Sequence, residues 1–254
     1  MLSEAERERI PRAVTPGATP TLLLHPASAA SELGDALAAL AQSVSEETQG
    51  AIAVTEVHNG AHGEPPPARP ALSLARGAQA RVCYLALPEG HEAPPFIEAL
   101  IAWCEGEAAP REPWMAKLDA LDRPAALQIF IGAECPHCPQ AVRVATRAAL
   151  DSPQVRATVI DAQRFPQLAK RFGVRAVPTT IIDDGLAVTG VLSGAALVGR
   201  LLARGEDGYE ADRFRSLIET GRLAEAAREL SHAAGVGFFM QAWRESATSS
   251  RVGL

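Results

Sequence analysis

The sequence predicts an α/β fold made of two α/β sandwiches in tandem, followed by a helical C-terminal extension. Three observations carry this. Apolar runs of strand length alternate with helical patterns from about residue 20 to residue 205, the order expected when helices cover a sheet. That order occurs twice, and sliding the chain by 108 residues lays one half on the other. The composition, 47% hydrophobic and 21% charged over 254 residues, is globular and long enough for one large core or two ordinary ones.

Taken in order, MLSEAERERIPRAV is a charged helical pattern. TLLLHP reads as a strand, ASAASELGDALAALAQSV as a helix and AIAVTEVHN as a strand. ARPALSLARG and ARVCYLALP follow as strands and PPFIEALIAWCEG as a helix. The Pro-rich GEPPPARP (63–70) stands where the other half has a helix, so that helix is expected to be missing here. EGEAAPREPWMAKLDALDRPA is a linker with a short helix.

The second half opens with AALQIFIGAE, a buried-strand pattern, and continues into PQAVRVATRAAL. There Ala141, Val142, Ala145, Ala148 and Ala149 fall at helical spacing. VRATVIDAQ is a strand, FPQLAKRFG a helix ending at Gly173, VRAVPTTIIDDG and AVTGVLSG strands, and AALVGRLLAR a helix. The units are placed at 1–112 and 113–206, with 207–254 as an extension of two or three amphipathic helices. Within it Phe238, Phe239, Met240 and Trp243 make a large apolar face, expected to dock on the sandwich or on a second subunit.

The 108-residue shift aligns Leu22 and Leu23 with Phe130 and Ile131, and Pro70 with Pro178. It also sets Ala27 and Ala30 on Cys135 and Cys138. One half therefore holds a Cys-x-x-Cys pair that the other has lost.

Charge and patterning exclude several function classes. A net charge of −6 argues against a nucleic-acid partner. No apolar run approaches the ~20 residues that span a bilayer. The N-terminus has no apolar signal core, and TLLLHPASA is too short and lacks a basic flank. Four cysteines do not make a disulfide scaffold, so Cys135-Pro136-His137-Cys138 reads as redox chemistry or metal binding, in the cytoplasm. Zinc needs four ligands as a rule, and no second Cys-x-x-Cys or His-x-x-x-His occurs. Cys83 and Cys104 read as buried small hydrophobes. His25, His58, His62, His91 and His232 read as surface or loop residues.

Redox chemistry fits the spacing. Cys135 stands where a strand hands over to a helix, and the unpaired N–H groups there favour a thiolate, the attacking species. Cys138, one turn on, is placed to resolve a mixed disulfide. Pro136 and Pro139 are tolerated in a first turn that begins at about Pro136. His137 can donate to the sulfur or sit beside it as a cation, which stabilises the dithiol and makes the pair more oxidising. In Val177-Pro178-Thr179, a cis bond before Pro178 would leave the Val177 backbone free to pair with an extended substrate. The redox equivalents are then carried on cysteine, with no bound cofactor.

IFIGAECPHCPQAVR followed by DAQRFPQLAKRFGVRAVPTTIIDDG resembles the thioredoxin superfamily. Residues 1–205 more closely resemble the tandem glutaredoxin-like protein disulfide oxidoreductases, and are similar to the N-terminal domain of the flavoprotein subunit of alkyl hydroperoxide reductase. VCYLALPEGHEAPPFIEALI resembles the end of the first unit in those proteins. The resemblance implies two thioredoxin-like folds sharing one continuous sheet. It implies Cys135 as the attacking cysteine, Cys138 as the resolving one and Pro178 as the cis-proline, with Val177 and Thr179 beside the substrate. Pro136-His137 matches the dipeptide of the bacterial periplasmic disulfide oxidase. Two departures stand out. Ala27-Ser28-Ala29-Ala30 replaces a first dithiol, which makes that unit redox-dead. The buried Asp and Lys of thioredoxins are matched by Ile129 and Ala157, which leaves Glu134 and His137 as the nearest proton carriers.

The expected activity is exchange with protein disulfides or dithiols, with an external reductase or glutathione as recycling partner. Two alternatives are an electron carrier to a peroxiredoxin and a non-catalytic module that holds a client.

Overall fold

The computed structural model describes residues 2–14, 20–58, 65–76 and 79–230. The first half contains α1 (Glu4–Ala13), β1 (Pro20–His25), α2 (Glu32–Glu47), β2 (Ala53–Glu56), β3 (Ala71–Arg76), β4 (Gln79–Leu85) and α3 (Ala93–Glu105). The second contains β5 (Ala125–Ile131), α4 (Cys138–Asp151), β6 (Val155–Asp161), α5 (Pro166–Arg171), β7 (Thr179–Ile182), β8 (Leu186–Thr189) and α6 (Gly194–Leu202). Helices α7 (Asp207–Glu219) and α8 (Leu223–Leu230) follow.

The local causes are ordinary. β5 and β6 share one burial pattern, an exposed second residue and a buried C-terminal half, because both lie inside the sheet with helices above. The Ser31 and Ser193 hydroxyls accept the Gly34 and Ala196 N–H groups, at 3.4 and 3.2 Å, and so set where α2 and α6 begin. The five α4 residues expected to face inward, Ala141, Val142, Ala145, Ala148 and Ala149, are all buried.

Among the described residues eight strands form one sheet, in the order β2-β1-β3-β4-β6-β5-β7-β8. β1 is parallel to β2 and antiparallel to β3, and β5 stands in the same relation to β6 and β7. The halves meet where β4 and β6 pair in parallel, Val82 opposite Ala157 and Tyr84 opposite Val159. β1 and β5 therefore point the same way, and the loops that follow them emerge at the same end of the sheet.

One continuous core lies beneath α2, α3, α4 and α6, and includes Leu22, Leu37, Phe96, Ile129, Val142 and Leu197. Phe96 meets Tyr84 edge-on, ring centroids 5.2 Å apart. On the opposite face Phe130, Ile160, Phe172 and Ile181 pack under α5. The first half has no helix there among its described residues, as the proline run predicts; residues 59–64 lie outside the described part.

The structure corrects several expectations. α2 begins at Glu32, not near Ala27, because Ser31 caps it. α4 begins at Cys138, two residues after Pro136, and the linker helix is a three-ten turn, Met115–Ala120. His25 is not a surface residue. Strand alternation turns it inward at the end of β1, where it is 6% exposed and its Nε2 lies 3.1 Å from Ser73 Oγ on β3. Cys104 is buried as expected, whereas Cys83 is only half-buried, and neither is in a disulfide. Burial pushes the Cys83 thiol up to about 11, against the pull of a Ser73 hydrogen bond.

Two helices of the extension are present. α7 packs on β8, and Ser216 Oγ accepts the Ala187 N–H at 2.8 Å. Gly173, at φ 64°, lies so close to the end of α7 that a Cβ there would collide with the Thr220 carbonyl. The Arg222 guanidinium lies 5.0 Å from the centre of the Phe172 ring. Phe238, Phe239, Met240 and Trp243 lie outside the described residues, as do His62 and His232.

Candidate active site

The site is built where β5 ends. Two tight turns carry the chain into α4, with the Cys135 N–H donating to Gly132 O (3.1 Å) and the Cys138 N–H to Cys135 O (3.4 Å). Cys135 and Cys138 are joined as a disulfide with their Cα atoms 5.5 Å apart. Cys138 is fully buried, and Cys135 is half-buried, so the outer sulfur is the accessible one. Pro139 takes the second position of α4, where a missing N–H breaks no helical bond. No side chain caps α4, which leaves the positive end of a fourteen-residue helix at the dithiol. Pro136 and His137 form the exposed turn between the cysteines.

The Val177–Pro178 bond is cis. A Cβ on Gly132 would stand 3.3 Å from Val177 Cγ2, so the Val177 loop packs against the turn that carries Cys135. Pro178 is buried, and its carbonyl accepts the Gly190 N–H at 2.8 Å. Val177 is half-buried. Thr179 is 2% exposed; its hydroxyl donates to Ala176 O at 2.8 Å and lies 3.0 Å from Thr189 Oγ1. The Thr179 side chain thus holds the loop from within, and Val177 is the residue of the trio that reaches the surface.

Ile129 and Ala157 are both core residues, at 0% and 1% exposure. Glu134 and His137 are exposed. A buried carboxyl that sequence reasoning did not single out, Glu92, lies against the helix that begins at Cys138. It ends the three-ten turn Gly90–Glu92 between β4 and α3, and that turn packs against α4. Glu92 is 5% exposed, and neither carboxylate oxygen has a hydrogen-bond partner among the described residues. Burial pushes its pKa up to about 7, with Arg143 on α4 pulling the other way. The Tyr84 hydroxyl, also buried, is pushed up by burial and by the Glu92 charge. Glu92 belongs to the first half and packs against α4 of the second, so no local pattern marks it. The only signal is its position in the Gly-His-Glu segment just before an uncapped helix.

In the first half the matching place is the Pro26–Ser31 loop. It faces a second cis bond, Arg69–Pro70, across a cleft of about 400 Å³. Among the described residues no group of three or more His, Cys, Asp or Glu stands in metal-binding array, and no helix is long and apolar enough to cross a membrane.

Comparison with known proteins places this geometry. A thioredoxin-domain family model matches residues 125–202. Thioredoxin from Methanocaldococcus jannaschii is 34% identical over 79 residues, which cover 31% of this chain and 93% of that protein. The N-terminal N/C domain of the alkylhydroperoxide reductase AhpF from Enterococcus faecalis superposes with a TM-score of 0.65 at 21% identity, over 79% of this chain and all of that one. A protein disulfide oxidoreductase from Aeropyrum pernix gives 0.59 at 19% identity, over 85% of this chain and 94% of its own. The sequence likeness lies in the half that carries the dithiol, and the fold likeness spans both halves.

Proposed function

The chain belongs to the thioredoxin family, and on that footing we propose that it is a thiol–disulfide oxidoreductase acting on protein disulfides through Cys135 and Cys138. The observation that supports this reading is the Cys135–Cys138 disulfide at the β5–α4 junction, its accessible member beside the Val177 loop.

In the reducing direction the Cys135 thiolate attacks one sulfur of the substrate disulfide. That S–S bond breaks, and one substrate sulfur leaves and takes up a proton. Cys138 then loses its proton and attacks Cys135 Sγ, which frees the second substrate sulfur and closes the internal disulfide. Two electrons pass from the chain to the substrate; the reverse sequence donates a disulfide. Glu92, packed against α4 with its pKa pushed up by burial to about 7, is the carboxyl this scheme assigns to take the Cys138 proton. The Val177 backbone pairs with the substrate, Pro178 and Thr179 hold that loop, and His137 biases the pair toward oxidation. No bound cofactor is needed; glutathione or an external reductase in the cytoplasm restores the starting state.

The test is a pair of variants. Cys135→Ser should abolish exchange with a disulfide-bonded protein substrate, and Cys138→Ser should accumulate a mixed disulfide through Cys135, read by mass spectrometry. Exchange surviving in Cys135→Ser overturns the reading. The role of His137 is read separately, from the reduction potential against glutathione. A value of roughly −180 to −120 mV fits the oxidising bias, and one near roughly −270 mV removes it.

A second reading, an electron carrier to a peroxiredoxin, is favoured by the fold shared along the whole AhpF domain. Exchange with a peroxiredoxin but with no general disulfide substrate would select it.

A further inference from the structure

The first half holds an open cleft where the second holds its dithiol. It lies between the Pro26–Ser31 loop, the start of α2 and Pro70, and encloses about 400 Å³. Ala29, three residues before α2 as Cys135 is three before α4, lines it together with Ala27 and Ala30. Six residues, 26–31, join β1 to α2, as many as join β5 to α4 (132–137). Leu37 and Pro70 supply apolar surface. The rim is acidic: Asp35 and Glu56 are exposed, with Glu56 3.3 Å from His58 Nε2, and among the described residues no lysine or arginine lines the cleft.

The ladder fixes where this cleft stands relative to Cys135. β1 and β5 run the same way, four strand spacings apart, roughly 19 Å at ~4.8 Å each. Leu22 lies level with Leu74, Val82, Ala157 and then Leu127 across the sheet. From that level β1 ends three residues on, at His25, and β5 four residues on, at Ile131, so the two sites differ by about one residue, roughly 3 Å, along the strands. Both sites occupy the same end of the sheet, and α2 and α4 share one face and one core. The separation is roughly 20 Å, which about six residues of extended chain can span.

From this we infer that the cleft binds an extended segment of the same polypeptide whose disulfide reacts at Cys135, through a lysine or arginine about six residues from the reacting half-cystine. The inference rests on the oxidoreductase reading and names its substrate class: unfolded chain with basic residues near its cysteines. The charge of the rim selects the basic side chain, and the spacing selects extended chain over a small disulfide. A second contact on one chain raises the effective concentration of the first, so its loss should weaken half-saturation rather than the chemical step.

The experiment uses the full chain, prereduced, in single-turnover stopped flow. The probes are a disulfide-bearing peptide with lysine about six residues from the half-cystine, the same peptide with glutamate there, and bis(2-hydroxyethyl) disulfide. The lysine peptide should half-saturate at about tenfold lower concentration than the glutamate peptide. Ala30→Trp, which fills the cleft, and Asp35→Lys, which cancels the charge of its rim, should each remove that preference. The small disulfide reports the dithiol and the folding of each variant. Equal half-saturation by the two peptides, or a preference that survives both substitutions, overturns the inference. Failure of the unsubstituted chain to reduce even the small disulfide refutes the oxidoreductase reading instead. Fluorescence anisotropy with a cysteine-free lysine peptide then decides the cleft: binding lost in Ala30→Trp supports it, and no binding overturns it. A dimer that Ala30→Trp dissolves would put a second copy of the chain in the cleft and also overturn it.

Discussion

A carboxyl that is buried without a partner favours its neutral form, and Glu92 is in that position. Its folded value, about 7, lies above the ordinary 4.5. Below 4.5 the group is neutral folded or unfolded and adds no pH dependence; between 4.5 and about 7 holding it neutral in the fold costs progressively more than in the open chain, and above 7 that added cost is constant. Stability should therefore fall across that window, and Glu92→Gln should flatten the fall. The variant is expected to melt roughly 2–6 °C higher than the parent near pH 8 and almost equally near pH 5, by calorimetry. An equal shift at both values would mean that the carboxyl does not titrate as its burial implies. At this scale the cysteines and prolines were legible, because spacing alone sets their place on a turn. Glu92 and His25 were not, because their burial is decided by residues distant in the chain, α4 for one and Ser73 for the other.

Among the elements, α7 shows how a helix outside the repeat is held. It presses on the turn after α5 through Gly173, whose φ of 64° and missing side chain admit the end of the helix. Gly173→Ala should release α7 and α8 while the sandwich stays folded. Limited proteolysis should then cut within 207–230 at a rate at least tenfold above the parent, since opening there no longer requires global unfolding (a local loss of about 1.4 kcal/mol suffices). Unchanged cleavage would mean that Thr220 can move aside. Helix identities were readable from apolar spacing, and the lost helix of the first half from its prolines. The starts were misread by two to five residues at α4 and α2, since Ser31 and the Cys135 turn, not the apolar stripe, decide where the helices begin.

Across the whole molecule, the repeat was visible in the 108-residue shift, which holds at the cis-prolines Pro70 and Pro178 but not at β1 and β5, where Leu22 and Phe130 face opposite sides of the sheet; periodicity alone cannot distinguish two separate sandwiches from one sheet. That the halves share a sheet was implied only by the family resemblance, and the β4–β6 ladder bears it out. Because α3 of the first half and α4 of the second rest on the same core, the chain should unfold in one step. Phe96→Ala, which empties a fully buried site in the first half, should cost about 3–5 kcal/mol and destabilise the second half equally. Denaturant curves by far-UV circular dichroism and tryptophan fluorescence should coincide in parent and variant; two separated transitions would show that the halves fold independently.

The two halves follow one another across the sheet in the same order and direction, so the operation relating them is a step rather than a closed rotation. Such a step has no natural last copy. β8 holds the place in its half that β4 holds in the other, and β4 is the strand that accepts a neighbour. By taking the Ala187 N–H, Ser216 of α7 occupies the rung on which a further β2-like strand would pair. α7 is thus a terminator. Without it, β8 of one chain would offer its edge to β2 of the next, and the step that builds the molecule would continue between molecules as a filament.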